Sequence, residues 1–154
     1  MAKQPISILA VDDEEANLEP LTRVLGMEGY YVQTAPDGLE AINVLQTLPF
    51  DLILLDIRMP RVNGVEVLRY AKEQHLDTEV IMLTAVQDVK TAVECMKLGA
   101  YYYITKPYLM EDLLTLIGRA LDWKRMVVHN KALKRQLGYG QSSSKMIGKS
   151  KCFI

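Results

Sequence analysis

Apolar residues along the chain fall into two alternating patterns. Short strand-like runs, Ile8 to Val11, Tyr31 to Ala35, Leu52 to Leu55, Val80 to Leu83 and Tyr102 to Thr105, are separated by stretches of helical period. Leu18, Leu21 and Leu25 share one helical face before Gly29, and Val89, Val93 and Met96 share another before Gly99. Each glycine stands where a helix stop is expected, because it enters the left-handed conformation at little cost. The pattern predicts five strands alternating with five helices. Such alternation implies βαβ crossovers, hence a mostly parallel sheet covered on both faces, a doubly wound α/β domain. The continuous hydrophobicity of LILL and VIML predicts central strands.

The composition fits this class and narrows the rest. The 154 residues, 49% hydrophobic and 24% charged, suit one ordinary soluble domain with some length to spare. A net charge of −1 offers no basic footprint, so nucleic-acid binding by this chain itself is disfavoured. Cys95 and Cys152 show neither CxxC nor Cys/His ligand spacing, which argues against a disulfide framework or a zinc site and for a reducing cytoplasm. MAKQPIS lacks an apolar signal stretch, and no run approaches the roughly 18 apolar residues of a membrane span. The expectation is a cytoplasmic chain without membrane association.

Ligands of doubly wound sheets bind beyond the carboxyl ends of the strands. There the first run ends in Asp12, Asp13, Glu14 and Glu15, the third in Asp56, the fourth in Thr84, and the fifth in Lys106 and Pro107. Carboxylates this close repel one another and resist burial unless a cation sits among them. Asp12, Asp13 and Asp56 form a hard oxygen set suited to Mg2+. Asp56 is then the natural nucleophile, with Thr84 and Lys106 as donors to a transferring phosphoryl group. Taken singly, each has a plainer reading: helix N-terminal charge for Asp12 and Asp13, a strand end for Thr84, a solvated surface lysine for Lys106 and sheet packing for Tyr103. His75 and His129, in polar helical surroundings, read as surface residues rather than phosphotransfer histidines.

Asp12-Asp13, LLDIRMP around Asp56, LTA at Thr84 and TKP at Lys106, in this order at the ends of four strands, resemble a response-regulator receiver domain over roughly residues 5–122. The resemblance implies a flavodoxin-like (CheY-like) sheet of five parallel strands with an extended C-terminal helix. It implies that a histidine kinase phosphorylates Asp56, that Asp13 binds Mg2+ directly and Asp12 largely through water, and that the backbone carbonyl of Arg58 adds a ligand. It further implies that Lys106 pairs with the phosphoryl oxygens, that the Lys106–Pro107 bond is cis, and that Thr84 and Tyr103 are the switch residues. Arg58 and Tyr101-Tyr102 depart from the best-known chemotaxis relative, and Arg58 is close enough to the acceptor to modulate access of water or partner.

From Tyr108 the helical pattern continues through LLTLIGRALDWKRMVVHNKALKRQL, longer than a closing helix requires. Leu116, Ala120, Trp123, Val127 and Asn130 keep a three-four spacing, continued by Leu133 and Leu137. Residues 123–138 therefore read either as a coiled-coil or signalling helix supporting a homodimer, or as an exposed linker helix. The composition then turns to GYGQSSSK and MIGKSKCFI, so 139–154 reads as a flexible linker and the start of an output domain. GKS is no Walker loop, since Ser143 stands where the motif needs glycine. Long helix, polar linker and IGKS resemble the approach to the ATPase module of sigma-54-dependent, NtrC-type activators, and VKTAVECMKLGAYYYITKP resembles their receivers. That implies transcription activation, with nucleic acid contacted only through a separate domain. Receivers coupled to a cyclic-dinucleotide phosphodiesterase or a kinase share these features. A phosphatase would need a general acid at Arg58, a poor acid, and a phosphorylation-independent dimerisation module would not need the strand-end residues intact. The reading is a phosphoacceptor signalling domain rather than an enzyme.

Overall fold

The apolar runs form one parallel sheet of β1 (Ser7–Val11), β2 (Tyr31–Ala35), β3 (Leu52–Asp56), β4 (Glu79–Ala85) and β5 (Tyr102–Lys106), in the order β2-β1-β3-β4-β5. The computed structural model describes residues 5–74 and 76–137, with the side chains of Val86 and of 127–137 outside the description. Among the described residues the crossovers are α1 (Glu15–Met27), α2 (Gly38–Thr47), α3 (Gly64–Glu73) and α4 (Val89–Lys97), with α5 (Met110–Leu137) last and a 3-10 turn, Val86–Asp88, just before α4. This is the expected doubly wound, flavodoxin-like α/β architecture. The chain divides into two compact units, Met1–Leu121 and Asp122–Ile154.

Alternate residues of each strand face opposite sides, so the sheet builds two apolar layers. Leu9, Val11, Ile53, Leu55, Val80 and Met82 pack under α2, α3 and α4. Ile8, Leu52, Leu54, Ile81 and Leu83 pack under Leu21 and Leu25 of α1 and Leu113, Ile117 and Ala120 of α5. Burial on both sides explains why LILL and VIML are apolar without alternation. Each such side chain contributes roughly 1.5–3 kcal/mol, so the central strands anchor the carboxyl edge firmly.

Asp56 and Lys106 are the last residues of β3 and β5, as expected, and Thr84 is the last but one of β4. Asp56 stands opposite Leu83, Thr84 opposite Thr105 and Ala85 opposite Lys106, so backbone pairing continues past the apolar side chains. Two expectations need correction. On α4, Ala92 and Cys95 are buried while Val93 is 42% exposed, because the helix lies close against the sheet and small residues fit that approach. On α5, Ala120 is buried in the domain's own core with Leu116 packed against it, so the first half of the expected self-association seam is already occupied. The side chains of Val127, His129, Asn130, Leu133 and Leu137, together with His75 and the 139–154 segment, lie outside the described residues.

Both predicted helix stops have the same physical form. Gly29 (φ 92°) and Gly99 (φ 114°) take the left-handed conformation. The Tyr30 amide then donates to Leu25 O at 3.1 Å and the Ala100 amide to Cys95 O at 3.0 Å, satisfying carbonyls at the helix ends. Gly64 serves differently, since a Cβ there would collide with the carbonyl oxygen of Asp56. Gly29→Ala meets open space and should cost only the left-handed penalty of about 1–2 kcal/mol. Gly64→Ala should cost about 1–3 kcal/mol by overpacking and also displace the backbone of Asp56. Denaturant unfolding with amide NMR checks both: shifts around Asp56 are expected for the Gly64 variant only.

Candidate functional site

Parallel strands deliver all their carboxyl ends to one edge, and side chains from three of them meet there. Lys106 Nζ, at the end of β5, donates to Asp12 Oδ2 and to Asp56 Oδ2, each at 3.1 Å. Between β5 and β3 lies β4, so the lysine reaches across the strand that carries Thr84. Asp12 is 1% exposed and fully engaged: its Oδ1 accepts the Glu14 amide at 2.9 Å and its Oδ2 accepts Asn17 Nδ2 at 3.1 Å. Asp13, the next residue, is exposed. Asp12, Asp13 and Asp56 each present an oxygen within 4.8 Å of the others. Oxygens around one octahedral Mg2+ lie about 3–4 Å apart, so the three carboxylates match such an ion with slight closing or with one ligand through water.

The electrostatics point the same way. Burial holds the Asp56 carboxyl above the ordinary carboxylate range, Lys106 offsets part of this, and neighbouring Asp12 adds to it. Burial alone would lower the Lys106 ammonium, but Asp56 and Asp12 outweigh it and raise the group. The Tyr108 phenol is raised by burial, with Lys106 opposing and the two aspartates adding. One ammonium thus faces three carboxylates, leaving the edge short of positive charge.

The other predicted residues are placed less directly. Thr84 is wholly buried, and its hydroxyl donates to the Ala85 carbonyl at 3.1 Å. Tyr103 is half-buried against the layer under α4, its ring centroid 5.3 Å from that of Tyr102. The Lys106–Pro107 peptide is cis. The Arg58 side chain binds Asp88, with Nε to Oδ2 at 2.7 Å and Nη2 to Oδ1 at 2.9 Å. At the other end of the same loop Arg61 (φ 69°) binds Asp37 Oδ2 at 2.7 Å, while Asp37 Oδ1 caps α2 by accepting the Glu40 amide at 2.8 Å. That amide, opposed by burial and helped by Arg61, lowers the Asp37 carboxyl. An open cleft of about 540 Å³ adjoins the site, lined among others by Asp13, Arg58, Met59, Asn63, Asp88 and Thr91.

Sequence reasoning missed Asn17, Asp88 and Tyr108. Tyr108 was within reach, two residues after Lys106. The Arg58–Asp88 pair spans 30 residues and has no periodic signature.

The raised Asp56 carboxyl means that its ionisation opposes folding above the ordinary carboxylate range and has no effect well below it. Asp56→Asn cannot ionise, so it should raise the thermal midpoint near pH 7, and the gain should vanish towards about pH 3. Lys106→Met leaves both carboxylates uncompensated and should cost about 1–3 kcal/mol near pH 7, recovering as acid protonates them. Thermal denaturation across this range checks both signs.

A response regulator receiver domain model matches residues 8–118, from β1 into α5. The chain is 41% identical over 114 residues to the response regulator MprA of Mycobacterium leprae (strain TN), covering 74% of this chain and 50% of that protein. It is 34% identical over 119 residues to regulatory protein AtoC of Escherichia coli (strain K12), covering 77% of this chain and 26% of AtoC. The crystal structure of NtrX from Brucella abortus in complex with ADP superposes with a TM-score of 0.80 at 29% identity, covering 90% of this chain and 31% of that one. The chain therefore spans about a quarter to a half of the length of these relatives. Because the matched span holds every strand of the sheet and every strand-end residue of the site, this chain belongs to the response-regulator receiver family.

Proposed function

We propose that this chain is a phosphoacceptor switch: a histidine kinase passes a phosphoryl group to Asp56, and the modified edge reshapes the surface beside Thr84 and Tyr103. The observation that carries the reading is Lys106 Nζ held between Asp12 and Asp56 within a cluster of three carboxylates. In the transfer an Asp56 oxygen forms a new P–O bond while the donor's P–N bond breaks, and the departing imidazole keeps the electron pair and takes up a proton. Lys106 neutralises charge on the moving group, and Thr84 follows it by giving up its bond to Ala85. Asp13, Asp56 and the Arg58 carbonyl would hold Mg2+, with Asp12 acting through water. The ion, when bound, supplies further positive charge for the phosphoryl oxygens. Steady phosphatase turnover is disfavoured because the second residue past the nucleophile is Arg58, a non-acid tied to Asp88.

We assign residues 5–122 to the receiver, 123–138 to a helical extension and 139–154 to a linker entering an output domain, in a cytoplasmic protein. Among the described residues no helix is long and apolar enough to cross a membrane. The likeness to NtrX, whose structure was solved with ADP, supports an NtrC-type transcription activator as the output.

Acetyl phosphate with Mg2+ should add one phosphoryl group by intact mass. Asp56→Asn and EDTA should each abolish it; labelling that survives either one overturns the acceptor or the metal assignment respectively. Lys106→Ala and Thr84→Ala should keep Mg2+ binding by calorimetry while losing the response to phosphorylation.

We also propose a homodimer through the last helix or the adjoining face, whose strength depends on phosphorylation. Sedimentation with and without beryllofluoride should show a shift towards dimer. A monomer in both states at high concentration would remove this part of the proposal.

A further inference from the structure

Arg58 stands two residues past Asp56, and Asp88 four past Thr84. Their bidentate pair joins the loop after the acceptor to the turn between β4 and α4. The guanidinium side chain is 69% exposed, whereas the Asp88 side chain is 11% exposed. The arginine is thus the solvated, movable partner. Asp88 also occupies the N-cap position of α4 but makes no side-chain cap bond: as the last residue of the 3-10 turn it has φ −105° and ψ 15°, whereas Asp37 and Asn63, which cap α2 and α3, have extended backbones. The Asp88 carboxylate binds Arg58 instead.

We propose that Arg58 and Asp88 exchange partners when Asp56 is modified, an inference that rests on Asp56 being the phosphoacceptor. In the unmodified chain each holds the other. A phosphoryl group on Asp56 places new anionic oxygens on the residue two before Arg58. The guanidinium moves onto those oxygens, where a fork of donors suits a phosphoryl group. Asp88, released, takes the extended backbone of the other two caps and accepts the Lys90 or Thr91 amide. The open cleft lined by Arg58, Asp88 and Thr91 leaves room for both movements. Arg58 thereby stabilises the modified state, and Asp88 converts the loss of its arginine into a firmer start of α4.

The probe is beryllofluoride with Mg2+, its affinity read by fluorine NMR and the cap by hydrogen exchange of the Lys90 and Thr91 amides. In the unaltered chain beryllofluoride should slow exchange at these amides. Arg58→Ala keeps its backbone carbonyl; it should weaken beryllofluoride binding roughly two- to fivefold, the usual range for one exposed ion pair, and protect the amides without the probe. Asp88→Asn frees the arginine and still caps, so it should tighten binding by a similar factor and protect the amides throughout. Asp88→Ala should tighten binding but give no protection in either state. Arginine and Asp88 variants that shift affinity in the same direction, or amides indifferent to beryllofluoride, overturn the exchange while leaving Asp56 as acceptor. Failure of the unaltered chain to bind beryllofluoride, or equal binding by Asp56→Asn, overturns both readings.

Discussion

The ammonium of Lys106, shared between Asp12 and Asp56, sets the spacing on which the rest of the carboxyl edge depends. A parallel sheet gathers its strand ends whether or not their charges are compatible. Here it brings together Asp12, Asp13 and Asp56, and without a cation their mutual repulsion and burial would work against folding. Lys106 reaches across β4 from the edge strand to relieve part of that strain. The relief is incomplete, as the raised Asp56 carboxyl shows. An edge selected for stability alone would carry fewer acids. The residual deficit of positive charge is the physical basis of the proposed affinity for a divalent ion and, with that ion present, for a phosphoryl group.

The loop that follows Asp56 is held at both ends by arginines, but the two anchors differ in kind. Arg61 adopts φ 69°, an uncommon conformation for a residue with a side chain, and its partner Asp37 also caps α2. That aspartate serves the helix and the arginine at once, one oxygen to each, so neither has reason to let go. Close contact between the Gly38 position and the Val62 carbonyl leaves little room for movement on this side. Arg58 and Asp88 satisfy each other instead, and α4 begins without a side-chain cap. The loop is thus tied to a helix cap on the α2 side and to a mostly exposed arginine on the α4 side. If Arg58 and Asp88 exchange partners as proposed, the rigid anchor on the α2 side would direct the change to α4 rather than to the whole loop.

Much of this was legible in the sequence for a definite reason. Buried parallel strands are apolar on both faces, so LILL and VIML mark the centre of the sheet, and the polar residue that ends each run lies near the ligand edge. Gly29 and Gly99 were equally readable, because few other residues accept their backbone conformation. The α4 face was misread because Val93 outranks Ala92 and Cys95 in hydrophobicity, whereas the close approach of helix to sheet selects for size. The Arg58–Asp88 pair was invisible for a different reason: ion pairing between loops leaves no periodic trace. Tyr108 lies two residues after Lys106, but the burial that chiefly raises its phenol is a property of the folded edge and leaves no local sign in the sequence.

How a change at this edge travels is constrained by the two-layer core. Ala92 and Cys95 place α4 over one face of the sheet, while Leu113, Ile117 and Ala120 place the first part of α5 over the other. The two helices pack into different apolar layers, so a change that links them would pass through the sheet between them. β5 is suited to this, with Tyr103 packed into the layer under α4 and the next residue, Ile104, packed into the layer under α5. As an edge strand it has a neighbour on one side only, β4, so less opposes a small shift than would in the centre of the sheet. Lys106 ends the same strand. In the proposed transfer, drawing its ammonium from two carboxylates towards phosphoryl oxygens would displace β5 at one end, and the proposed firmer start of α4 would bear on Tyr103 from one face. Both inputs would then reach α5 along a single five-residue strand.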